Sequence, residues 1–189
     1  MSERTDLIQT QEAERQEEKQ GSTVRELLSF VITTLLFLAA FYLVVQFVAR
    51  PIVVQGSSMQ NTCENKDYMI IWQLNYTPER GDIVVTDEEN LLGERLVKRV
   101  IAVGSDNVQI HDGTLTVNGK EQTEPYIKEQ SWGAEEYLDL TVPENSVFLM
   151  GDNRNDSTDS RIIGTLPNSS VMGKVVVRLF PFDRFGAVE

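Results

Sequence analysis

Between Leu27 and Val48 the chain carries no charged residue, and only Ser29, Thr33, Thr34, Tyr42 and Gln46 interrupt its apolar side chains. About 22 such residues, as a helix, cross about 30 Å of hydrocarbon. The run is too long for the apolar segment of a cleavable leader, and Ala49-Arg50-Pro51 is a poor cleavage site because Pro follows. A buried core helix would need a helical partner, and no comparable run occurs elsewhere. The segment therefore reads as one membrane-spanning helix over 26–48. Residues 1–25 precede it as a polar tail of mixed charge, expected to be disordered or loosely helical on the cytoplasmic side. Arg15, Lys19 and Arg25 lie before the span and Arg50 after it, a small excess that favours an inside N-terminus.

Residues 49–189 are then one extracytoplasmic domain, long enough to bury a core. Its pattern is short β-rich runs between turns. Pro51–Gln55, Tyr68–Gln73, Ile83–Val85, Arg95–Val103, Val108–Ile110, Thr114–Val117, Ser146–Met150 and Lys174–Phe180 read as strands. His111-Asp112-Gly113 and Asn118-Gly119 read as hairpin turns. The expected fold is mainly β, an antiparallel sheet domain behind one transmembrane helix, with a loop or insertion over about 105–145. The acidic stretch from about Thr123 to Asp139 has no assignable role.

Composition excludes several function classes. A net charge of −12 leaves no basic patch for nucleic acid. The single cysteine, Cys63, permits no intrachain disulfide and no cysteine-ligated metal cluster, and reads as a small apolar filler. A Ser-His-Asp triad would have to use His111, the single histidine, which sits in a turn. Asp152-Asn153-Arg154-Asn155-Asp156 has a calcium-loop look, but Ser157 and Ile163 stand where that loop needs Gly and a bidentate Glu. No metal or other cofactor is expected.

Three stretches carry possible chemistry. Gly56-Ser57-Ser58-Met59 is a small turn just past the membrane span, suited to exposing a hydroxyl beside an apolar contact. Alternation along Arg95–Ala102 puts Lys98 on one face with Leu96, Val100 and Ala102, and Arg99 on the other with Val97 and Ile101. Burial would lower the pKa of Lys98 and make it a usable general base. Taken alone, though, that strand favours a lysine snorkelling at a sheet edge. Gly151-Asp152-Asn153-Arg154 through Arg161 is a dense polar loop of the kind held by side-chain hydrogen bonds and ion pairs.

In order, the membrane span, Gly56-Ser57-Ser58-Met59, Arg80-Gly81-Asp82-Ile83-Val84, Lys98-Arg99-Val100 and Gly151-Asp152-Asn153-Arg154…Ser157-x-Asp159-Ser160-Arg161 resemble a type I bacterial signal peptidase. The likeness covers roughly 25–182 and is nearest the single-anchor Gram-positive version. It implies a serine endopeptidase at the plasma membrane, which removes signal peptides from exported preproteins close to the protein export channel. Cleavage would follow small residues, as in Ala-x-Ala. It implies a Ser-Lys dyad of Ser58 and Lys98, with Ser157 orienting the lysine and the backbone N–H of Ser58 holding the oxyanion. Arg99 would pair with Asp152, and Arg161 with Asp159. Val53, Val54, Met59, Leu96 and Val97 would wall the substrate site. The stretch Met69 to Trp72 is core strand or, at Trp72, touches the bilayer surface. Two positions depart from the pattern: Asn61 replaces the usual Pro after Ser-Met-x, and Asn155-Asp156 reverses the usual Asp-Asn. A self-cleaving repressor with the same dyad would need an N-terminal helix-turn-helix. A silent, anchored β module that binds secreted chains is the alternative outside enzyme chemistry.

Overall fold

The computed structural model describes the backbone of residues 2–129, 131–133 and 137–188, and side chains from residue 23 onward within those ranges. The chain divides into two compact units, Met1–Val44 and Val45–Glu189.

Helix α1 spans Ser2–Phe47, so the backbone is helical well before the apolar run begins. The polar part contains no proline and is rich in Glu, Gln and Arg, which are good helix formers. Thr23–Phe47 is long and apolar enough to cross a membrane. The hydroxyls of Thr33 and Thr34 donate to the carbonyls of Ser29 and Phe30, both at 2.8 Å, so two of its polar side chains are satisfied within the helix itself.

The second unit is antiparallel β. Strands β1 (Ala49–Val53), β2 (Tyr68–Trp72), β3 (Ile83–Thr86), β4 (Val97–Val103), β9 (Ser146–Met150), β10 (Leu166–Pro167) and β11 (Val171–Phe180) form one sheet. Its order is β1-β2-β11-β3-β4-β9-β10, with β12 (Gly186–Ala187) added on β11. Strands β5 (Asn107–His111), β6 (Thr114–Val117), β7 (Lys120–Glu121) and β8 (Tyr137–Thr141) form a second sheet in the order β7-β6-β5-β8. The region expected as a loop or insertion is thus largely this second sheet. Its hairpins turn through Asp112-Gly113 and Asn118-Gly119, each with both residues at positive φ, as tight two-residue turns require.

One apolar core lies between the sheets. Ile101, Ala102, Phe148 and Met150 of the first meet Val108, Ile110, Leu115, Val117 and Trp132 from the region of the second. Another core joins Val54, Met59 and Cys63 to Met69, Ile71, Ile83, Val85 and Val175. Cys63 is fully buried there, and burial pushes its thiol up to about 12, so it acts as an inert filler.

Alternation holds along β4 only as far as Val100. An irregularity in the pairing with β9 lies between Val100 and Ala102, so Ile101 and Ala102 enter the same core. Nor is β4 an edge strand. It lies between β3 and β9, and Lys98 is 3% exposed. A snorkelling lysine is excluded because the sheet continues on both sides.

Candidate active site

Ser58 sits on a short turn between β1 and β2. The next residue, Met59, is buried in the core, and its carbonyl accepts from the N–H groups of Thr62 and Cys63 at 3.1 and 2.7 Å. Met59 thus pins the turn while Ser58 stays half-buried at its surface. Gly56 enters the turn at φ +90°, a conformation that residues with a Cβ rarely adopt. A hydroxyl-bearing side chain is disfavoured there for that backbone reason.

Lys98 reaches this turn from the middle of the sheet, and its Nζ donates to Ser58 Oγ at 2.6 Å. Burial lowers the lysine from 10.5 to about 8. Asp159, Asp156 and Asp152 oppose that shift, and Arg161 adds to it. At pH 7 roughly a tenth of the amine is free to take a proton, and the share reaches about half near pH 8.

The loop after β9 supports both residues. Gly151 has no room for a side chain: a Cβ there would lie 2.3 Å from Ser157 Oγ and 2.4 Å from the Ser58 carbonyl oxygen. Asn153 N–H donates to that same Ser58 carbonyl at 3.0 Å. Arg99 and Asp152 form a buried two-pronged pair at 2.9 and 2.8 Å, and Thr62 Oγ1 donates to Asp152 at 2.5 Å. Burial works against the Arg99 charge, but the bond to Asp152 outweighs it and raises its pKa. Arg161 grips Asp159 in the same way at 2.8 and 2.9 Å. Although burial opposes ionisation of Asp159, the Arg161 bond holds its carboxyl below the usual range. Ser157 Oγ donates to Asp159 at 2.7 Å. No hydrogen bond from Lys98 to Ser157 is present among the described residues, so Ser157 lies beside the lysine's site but is held by Asp159.

Residues 25–180 match the family model for signal peptidase, peptidase S26. The chain belongs to that family. It is 34% identical over 181 residues to a signal peptidase I of Bacillus licheniformis, covering 88% of this chain and 96% of that protein. A signal peptidase IB of Staphylococcus aureus is 30% identical, over 85% of this chain and 93% of the relative. A signal peptidase I of Leptolyngbya laminosa is 35% identical, over 74% and 73%. As a member of this family the chain is a serine protease, and its hydroxyl and amine at 2.6 Å are the groups to weigh for that chemistry.

In this signal peptidase a cleft of about 1010 Å³ opens beside Ser58 and Lys98. Val53, Leu96 and Val97 line it. Val54 and Met59, expected as walls, do not; they are 2% exposed and face the core. Val54 follows outward-facing Val53, so its side chain points the other way, and Met59 turns inward from the hydrogen-bonded turn that carries Ser58. Pro51, Ile52, Val85, Leu92 and Met172 add to the apolar lining. Strands β1, β3, β4 and β11 all reach this one cleft although β1 and β4 lie far apart in strand order, so the sheet is curled. His111 is exposed, lies in the second sheet and pairs with its neighbour Asp112 at 3.2 Å.

Sequence reasoning missed the partners supplied by the acidic stretch after Thr123. Glu124 takes two bonds from buried Arg154 at 2.8 and 2.5 Å, while Trp132 lies 4.7 Å from that guanidinium. The Tyr126 ring lies 3.9 Å from the Arg99 guanidinium. Asn61 donates to the Tyr126 carbonyl at 3.2 Å. It stands at φ +88°, where proline cannot go. The available signal was an alternation of Glu, Tyr and Trp in a polar stretch, residues that pair with and stack on arginine.

Proposed function

We propose that this peptidase removes signal peptides from exported preproteins with a dyad of Ser58 and Lys98. The observation that supports it is the 2.6 Å hydrogen bond between a buried lysine and a half-buried serine at the mouth of a cleft. Lys98 takes the Ser58 proton as Oγ attacks the scissile carbonyl. The C–N bond then breaks, and Lys98 returns the proton to the leaving amine. Water, deprotonated by the same amine, cleaves the acyl ester and frees Ser58. The Ser58 N–H would hold the oxyanion, and Gly56 offers no side-chain donor. An extended substrate segment would pair with the free edge of β1, the terminal strand of its sheet. Small side chains before the cut would seat against Ile52, Val85, Leu96 and Met172.

Thr23–Phe47 would anchor the enzyme in the plasma membrane with the N-terminus cytoplasmic and the β unit outside, close to the export channel. Exposed Trp72, at the end of β2, suits an interfacial contact, whereas Met69 and Ile71 are buried core. The test is cleavage of a purified preprotein by the full chain in detergent and in lipid. Wild type and Ser57→Ala should cut after Ala-x-Ala. Ser58→Ala and Lys98→Ala should be folded and slower by about 10³-fold or more. If all four cut alike, the dyad is wrong, and a chain that binds preproteins without cutting them would fit the silent β module.

A further inference from the structure

Ser57 and Asp156 form a hydrogen bond that the dyad does not use. They are 99 positions apart, and Ser57 Oγ donates to Asp156 Oδ2. Each stands immediately before a residue of the proposed site, Ser57 before Ser58 and Asp156 before Ser157. Both also line the cleft.

The two segments are already clamped through their backbones. Asn153 donates from its N–H to the Ser58 carbonyl at 3.0 Å, and from Nδ2 to the Ser57 carbonyl at 3.1 Å. Those bonds set the separation of the segments but leave the choice of hydroxyl open. Ser57 and Ser58 are chemically alike and adjacent, so a small rotation of the turn would offer the wrong one to Lys98. A carboxylate acceptor for Ser57 removes that ambiguity, because a charge-assisted bond is stronger than one between neutral groups.

The same carboxylate is electrically distinctive. The charged groups acting on Lys98 are Asp159, Arg161, Asp156 and Asp152. Asp159 and Asp152 are each gripped by an arginine. The described partner of Asp156 is a neutral hydroxyl. Farther along the cleft, Arg50 and Glu94 stand on the rim, and Glu88 pairs with Arg95 at 3.4 Å.

We propose that Asp156 is a positioning residue for peptide cleavage: by accepting from Ser57 it ties the Ser58 turn to the Ser157 loop and keeps Ser57 away from Lys98. This rests on the Ser58–Lys98 reading above. A second consequence is electrostatic. Asp156 favours the protonated lysine, so removing its charge lets Lys98 act as a base at lower pH.

The test measures kcat and KM of the full chain in detergent on one preprotein from pH 5.5 to 9.5. It compares wild type, Asp156→Asn, Asp156→Ala, Ser57→Ala and the double alanine variant, with Ser58→Ala and Lys98→Ala alongside. Asp156→Asn keeps an acceptor oxygen, so its plateau kcat should stay within about threefold while the rising limb moves to lower pH. Ser57→Ala keeps the charge, so its limb should stay in place while kcat falls about tenfold. The double variant should lose no more than Asp156→Ala alone, since both changes break one bond. An Asp156→Asn limb that superimposes on wild type, or losses that multiply in the double variant, overturns the proposal. Undiminished cleavage by Ser58→Ala would sink the dyad reading instead.

Discussion

Lys98 Nζ lies 2.6 Å from Ser58 Oγ across 40 positions of sequence, and the lysine that makes this contact is 3% exposed. Burial holds its pKa at about 8. With Lys98 as the base, kcat/KM should rise with pH and level off above about 8, as the amine loses its proton. A flat pH–rate profile between about 6 and 9 would rule Lys98 out as the base.

The same burial makes Lys98 costly to the fold. A pKa lowered from 10.5 to about 8 corresponds to about 3 kcal/mol at neutral pH, at about 1.4 kcal/mol per unit. Between those two values the unfolded chain binds more protons than the folded one, so stability rises with pH. Lys98→Met should therefore be inactive yet more stable at pH 7, by up to about 3 kcal/mol. Its advantage should be full below about pH 8 and shrink toward 10.5. Chemical denaturation of the full chain at pH 7 and 9.5 checks this. An advantage that does not change with pH would mean the buried charge is not its source.

Gly151→Ala would place a Cβ 2.4 Å from the Ser58 carbonyl oxygen, which is backbone and cannot swing aside. The loop must move away from the Ser58 turn. Activity should fall by about 100-fold or more while melting shows a loss of about 1–3 kcal/mol. Full activity in this variant would show that the spacing between Ser58 and Ser157 is not critical.

Glu124 is the carboxylate partner of Arg154, whose side chain is fully buried. Glu124→Ala leaves that cation uncompensated and should cost about 3–5 kcal/mol in unfolding free energy. Glu124→Gln, which keeps an acceptor, should cost less. Equal losses would locate the effect in packing against Trp132 and Tyr126 rather than in charge.

Asn61→Pro would restore the residue usual in the family at that place, but at φ +88° proline cannot fit without rebuilding the turn. The substitution should destabilise by about 2 kcal/mol or more, whereas Asn61→Gly should stay within about 1 kcal/mol of wild type. Thermal unfolding of both variants decides it. A neutral proline variant would mean that the turn between Met59 and Cys63 readily changes shape.

Local features were legible from the sequence because they depend on residues a few positions apart. The uncharged run determined a helix that can cross a membrane, whatever it packs against. Alternating β-branched runs and Asp-Gly or Asn-Gly turns determined an antiparallel β unit. The ordered motifs determined the family, because Ser-Met, Lys-Arg and the Gly-Asp-Asn-Arg loop recur in fixed succession. What only the tertiary structure decided was which of these side chains meet. Strand alternation could not tell a snorkelling Lys98 from a buried one, since that depends on β3 and β9 flanking β4. Val54 and Met59 read as pocket walls but face the core, and Met172 of β11 lines the cleft instead. For Glu124, Tyr126 and Asp156 nothing local named the partner. Their partners lie 27 to 99 positions away, and side chains that far apart are brought together by the closing of the whole sheet around its cores.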